Sequence, residues 1–187
     1  VFDNIVSVQY KAIEKSKKFL FNPAFSVDFS DMPFTMWGTE FNLGYAFSDY
    51  WELYLNFVPM YISNERLISK KIKEVSLGNG KELYIDTEKA KTSFGLMLNW
   101  LPAYGKESWG PTSIFRSDTF FQLGLGVVQY EKNSGAKYRL GLGKTFFISD
   151  SWNIRATGAG QFVEYITSGK KDVNFVGLFE LGLVYYY

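Results

Sequence analysis

Six charged residues invite a chemical reading: Asp28, Glu40, Glu52, Arg139, Arg155 and Glu180. Two carboxylates can divide general acid and base work, and Glu40 and Glu52 are the pair that would do so here. Acids facing arginines make either a self-satisfied ion-pair plug or an ion-selective constriction. The chain offers little other chemistry. It has no His and no Cys, which removes His-based triads, thiol nucleophiles, disulfides and the usual zinc sites. Twenty basic and 19 acidic residues leave a net charge of +1, so there is no global electrostatic case for nucleic-acid binding. Gly124, Gly126, Gly141, Gly143 and Gly182 are followed by no helical pattern and form no phosphate-binding fingerprint.

Whether the six charges meet depends on the elements that carry them. The dominant pattern has period two. Phe19, Phe21, Pro23, Phe25, Val27 and Phe29 alternate with Leu20, Asn22, Ala24, Ser26 and Asp28. Successive strand side chains point to opposite faces, so this segment has one apolar face and one of smaller, mixed residues. Similar alternation runs through 37–47, 51–61, 94–104, 121–128, 138–146, 152–162 and 175–187, with Tyr61 and Tyr104 on the apolar faces and Met60 on the other. The segments run to roughly 11–15 residues, whereas globular strands average about 5–6 and a tilted membrane-crossing strand needs roughly 9–11.

A soluble barrel would show Lys and Glu on its second face. Here that face carries Gly, Ala, Asn, Thr and Gln with isolated charges, which suits a narrow interior. Aromatic residues make up 19% of the chain. They gather near strand ends, led by Trp37, Trp51, Trp100 and Trp152, as in the interfacial girdles of a membrane barrel. No apolar run approaches the roughly 18 residues of a membrane helix. The expected fold is all-β, an eight-stranded antiparallel transmembrane β-barrel over 17–187, preceded by an N-terminal periplasmic segment, 1–16, that lies in the periplasm or plugs the mouth.

With the N-terminus inside, 48–50, 105–117 and 149–151 are inside connections; 30–33, 63–91, 132–135 and 167–172 lie outside. The long outside loop, 63–91, is dense in mixed charges and holds a Gly-rich turn at 78–80. Two inside turns match: Phe47-Ser48-Asp49-Tyr50-Trp51 and Ile148-Ser149-Asp150-Ser151-Trp152. An eight-strand interior is one that side chains just fill. The six inward charges are therefore expected to pair with one another across the lumen. A filled lumen admits no substrate, so neither an enzyme nor a cofactor is expected.

Phe179, Leu181, Leu183, Tyr185 and Tyr187 alternate to the end of the chain. This looks like the C-terminal signal read by the outer-membrane barrel assembly machinery, through strand pairing. It implies a Gram-negative outer membrane and a secretory signal already removed. Val8-Gln9-Tyr10-Lys11, Phe19-Leu20-Phe21-Asn22-Pro23, Asp31-Met32-Pro33-Phe34-Thr35 and Gly44-Tyr45-Ala46-Phe47-Ser48-Asp49-Tyr50-Trp51 follow in one order. In this the chain resembles the small outer-membrane β-barrel family of predatory and gliding deltaproteobacteria, such as Bdellovibrio and myxobacteria. The resemblance implies outer-membrane lipid and lipopolysaccharide as surroundings, the assembly machinery as a partner, and a possible envelope protein partner. The expected role is a structural or partner-binding envelope protein. The alternative is a narrow, porin-like ion channel or a carrier of small apolar ligands.

Overall fold

Each alternating segment forms a strand, and the strands close on themselves. The computed structural model describes residues 13–30, 34–65, 67, 71, 89–110, 113–167 and 170–187. The strands are β1 (Phe19–Ser30), β2 (Phe34–Ser48), β3 (Trp51–Val58), β4 (Tyr61–Glu65), β5 (Ala90–Trp109), β6 (Ser113–Tyr130), β7 (Ser134–Phe147), β8 (Trp152–Thr167) and β9 (Lys170–Tyr186). All pairings are antiparallel. β1 pairs with β2 on one side and β9 on the other, which joins the ends of the sheet. β3 and β4 both lie along β2 and occupy one position in the ring. The result is a closed barrel of eight positions, as the sequence pattern predicts.

The burial pattern is inverted relative to a soluble protein. Leu55, Leu125 and Phe175 are 60–63% exposed on the outer wall, while Glu40, Asn42, Glu52 and Arg155 are at most 2% exposed inside. Such a continuous apolar belt has no stable state in water and is solvated by lipid hydrocarbon. Aromatic rings mark its edges. At the end that carries the 48–50 and 149–151 turns, Trp51 stacks on Trp100 at 6.3 Å, Trp100 on Phe121 at 5.7 Å, and Trp152 packs on Tyr185 at 4.8 Å. At the other end Phe25 meets Trp37 at 5.5 Å and Phe162 meets Phe175 at 5.3 Å.

The two matched turns share a device. Ser48 Oγ accepts from the Tyr50 N–H at 3.2 Å, and Ser149 Oγ accepts from the Trp152 N–H at 2.9 Å. Each serine thereby satisfies a backbone donor that the sheet has left behind.

Two expectations need correction. First, Tyr61 and Tyr104 face the interior, and Met60 faces out at 62% exposure. The β2 register passes from Phe41↔Phe57 to Gly38↔Tyr61, and the β6 register from Trp100↔Phe121 to Ala103↔Thr119. Each shift inserts one residue, and one residue exchanges the two faces of a strand. Pro59 and Pro102 sit at these points because proline has no N–H for the ladder.

Second, 105–117 is not a loop. β5 and β6 continue through it, paired from Ala103↔Thr119 to Trp109↔Ser113, as a ribbon beyond the Trp100 girdle. Likewise β8 and β9 pair out to Thr167↔Lys170, so 170–172 belong to β9 and not to a loop. The end of the N-terminal segment reaches the barrel mouth, one of the two placements open to it. Lys15 is 0% exposed, with its side chain inside the barrel mouth. Residues 1–12 and most of the 63–91 loop, including its Gly-rich turn, lie outside the described residues.

Two outcomes follow. Gly95 and Gly126 face each other across β5 and β6, and a Cβ on either would sit 2.5–2.6 Å from a carbonyl oxygen of the facing strand. Gly126→Val therefore lowers stability by about 1–3 kcal/mol. Urea unfolding in micelles, followed by Trp fluorescence, should show a lower midpoint; an unchanged midpoint contradicts the close approach. At the base of the ribbon, Lys144 and Ser117 both donate to Glu107 Oε1. Their hydrogen bonds, that of Lys144 first, hold the Glu107 carboxyl below its ordinary range. A lowered folded value gives stabilisation that is present above the unfolded value and lost as pH falls through the folded one. Amide protection around Glu107 and Ser117 should persist down past the usual glutamate value of about 4.3 and decline only below it. Loss at or above that value would contradict the clasp.

Candidate functional site

All six charges predicted to face inward do so, each at most 6% exposed. They do not form one network. They sort into two tiers along the barrel axis, set by where each strand's inward positions fall in the register.

The tier nearer the turn end is centred on Arg155 of β8. Its guanidinium donates to Glu52 Oε2 at 2.9 Å, to the Tyr54 hydroxyl at 2.6 Å and to Thr145 Oγ1 at 2.9 Å. The Tyr54 hydroxyl in turn donates to Glu52 Oε2 at 2.9 Å. The rings of Phe120 and Tyr54 lie 4.8 and 5.4 Å from the guanidinium carbon. Below it, Lys15 pairs with Asp118 and stands 3.6 Å from Glu52 Oε1. The Phe147 ring lies 4.9 Å from the Lys15 ammonium. The backbone at Lys15 and Ser16 is pinned from the side, both N–H groups donating to Asp49 Oδ1.

The second tier is centred on Arg139 of β7. It pairs with Glu180 and, at 3.3 Å, with Glu40 Oε2. Asn56 bridges inward, donating to Glu40 Oε2 at 2.9 Å and to Asn42 Oδ1 at 2.7 Å. Asn42 reaches Glu180 at 3.4 Å. Lys137 donates to Ser93 Oγ at 2.9 Å, and Asp28 is buried on the neighbouring wall. Between the tiers Gln122 donates to Asn99 at 3.1 Å.

The register decides which charges meet. Arg155 does not pair with Glu180 on the adjacent strand. Glu180 faces Thr157 in the register, one pleat away from Arg155, so it meets Arg139 instead. Glu40 and Glu52 are not a carboxylate pair. Glu52 faces Ala46, six positions along β2 from Glu40, a separation of about 20 Å in a strand. Each has its own arginine.

Three lumen charges are absent from the sequence reading: Lys15, Asp118 and Lys137. Lys137 is in phase with Arg139, and Asp118 with Gln122, so extending those strands by one pleat or two would have found them. Lys15 precedes β1, and no periodicity points to it. A void of about 10 Å³ beside Asn56, Met97, Lys137 and Arg139 has room for one water at most.

No family model and no curated protein matches the sequence. Solved structures do match. The crystal structure of Neisserial surface protein A aligns with a TM-score of 0.50 at 8% identity, over 91% of this chain and 96% of that one. The N-terminal β-barrel domain of Pseudomonas aeruginosa OprF aligns at 0.47 and 11% identity, over 91% and 98%. Ail, the attachment invasion locus protein of Yersinia pestis, aligns at 0.43 and 16% identity, over 94% and 100%. The chain has the fold of the small outer-membrane barrels.

The lumen pairs can be tested by removal. Arg155→Ala leaves Glu52 buried with Lys15, 3.6 Å away and already paired with Asp118, as its remaining cation, and should cost about 3–5 kcal/mol. Replacing both partners, Arg155→Met with Glu52→Leu, should recover most of that loss. Chemical unfolding of Arg155→Met, Glu52→Leu and the double variant measures the coupling. A double variant as unstable as the sum of the singles would rule out a direct pair.

Proposed function

We propose that this chain is a non-enzymatic barrel of a bacterial outer membrane, acting as a structural or partner-binding component of the envelope. The observation that carries the reading is the lumen. Two tiers of ion pairs and hydrogen bonds cross it, and Lys15 seats in the mouth at the turn end. Among the described residues the lumen offers a substrate no cleft, and an ion would have to break a buried arginine–carboxylate pair to pass. What remains accessible is the belt, which meets lipid and lipopolysaccharide, and the two rims, where a scaffold presents recognition surfaces. In this reading the turn end faces the periplasm and the assembly machinery inserts the barrel. Kinship with the barrels of predatory and gliding deltaproteobacteria belongs to the same proposal.

The competing reading is a narrow channel or a carrier of small apolar ligands. Purified protein in a planar bilayer decides between them. The scaffold reading expects a silent membrane, and expects no steady current from Arg155→Ala beyond brief, unselective leaks. A steady current from the natural chain that changes selectivity or disappears on altering Arg155 would make the lumen a pathway and the scaffold reading wrong.

A further inference from the structure

The ribbon of β5 and β6 beyond Trp100 is not needed to cross the membrane. β5 is 20 residues long and β6 is 18, against the roughly 9–11 that a crossing takes. The other two connections at this end are tight turns. Two-stranded ribbons are marginal in water, and this one carries a further burden. Lys106 and Arg116 are Cα partners directly across the ribbon, both exposed. Like charges in that position repel. Among the described residues no carboxylate pairs with either. Ile114, 71% exposed, shares their face, two positions along β6 from Arg116.

The backbone is accessible as well. β3 stops pairing with β5 at Trp51↔Trp100, and Leu101 N–H goes to Tyr50 O at 2.8 Å. From 102 to 109, β6 is the only strand beside β5 among the described residues. Nothing lies within 4 Å of where a Gly105 Cβ would be. An edge strand presents free ladder positions to an incoming chain.

We propose that this ribbon docks an acidic, extended polypeptide segment, which adds as a strand along β5 and sets its carboxylates against Lys106 and Arg116. The inference rests on the partner-binding reading above and names the surface and the chemistry of the partner. Lipid phosphate is the lesser fit. Lys106 stands six residues past the Trp100 girdle, about 20 Å along the strand, whereas the headgroup layer is only about 5–8 Å deep on each side. Strand addition supplies affinity through the main chain, and the cation pair supplies the preference for acids.

The test uses the full chain in nanodiscs of phosphatidylcholine and a fluorescent decapeptide of alternating Asp and Val. Anisotropy should report saturable binding that weakens at least tenfold in Lys106→Glu/Arg116→Glu. A peptide with Asn in place of Asp, and one with N-methylated backbone, should each lose at least tenfold. The charge reversal Lys17→Glu/Lys18→Glu, at the same end of the barrel, should change binding less than twofold. Equal loss in both reversals, or indifference to N-methylation, would overturn the proposal in favour of unspecific attraction. Binding of phosphatidylglycerol vesicles that depends on Lys106 and Arg116, without peptide binding, would overturn it in favour of a lipid surface. Self-association lost in the same variant, again without peptide binding, would overturn it in favour of a second copy. Conductance on the same samples separates the two readings. A silent barrel that binds no peptide removes the docking surface alone, and a conducting barrel that binds peptide removes only the non-conducting scaffold.

Discussion

Every backbone N–H and C=O that enters hydrocarbon must find its partner within the protein. In this chain that requirement is met at the seam, where β1 takes β9 on one side and β2 on the other. Closure removes both sheet edges at once. It also fixes the number of positions at eight, and with it the width of the interior. A lumen that narrow has room for side chains and little water, so any charge inside it must be answered by another charge. The glycine pair Gly95 and Gly126, the stacked tiers and the seated Lys15 are all consequences of that width.

The described residues place nine charged side chains in the interior: Lys15, Lys137, Arg139 and Arg155 against Asp28, Glu40, Glu52, Asp118 and Glu180. The tier at the turn end holds two of each sign. The other tier holds two cations and three acids. Buried ion pairs are weak evidence for stability, because desolvation offsets most of their attraction. They are better at specifying register. A one-residue slip of β8 would carry Arg155 to the lipid face and leave Glu52 without its arginine, so the wrong register is penalised twice.

The strands, their lengths and their faces could be read from the sequence because period two is a local signal, and membrane crossing makes each run long enough to be distinctive. The inward identity of Asp28, Glu40, Glu52, Arg139, Arg155 and Glu180 followed directly. Their partners did not. Pairing across a lumen depends on the axial height of each residue, which comes from the stagger of strands around the ring. One strand shows its own alternation and nothing of its neighbours' height. Lys15 was missed for a related reason: it enters the lumen from the end, outside any strand. The ribbon over 105–117 is hidden in the sequence because its residues, Gly105-Lys106-Glu107-Ser108 among them, have the polarity of a turn. It is polar because both its faces are wet.

The bulges beside Pro59 and Pro102 have a consequence for how such a chain can change over time. Each is a phase shifter. On the membrane side the alternation is locked to the lumen, and a lost or gained residue would turn a whole strand inside out. Past the shifter the count begins again, so Tyr61 and Tyr104 answer to their rim neighbours and not to the belt. The rims are thereby decoupled from the reading frame of the span. They can lengthen, shorten and change charge, as the β5–β6 ribbon has, while the barrel beneath keeps its register.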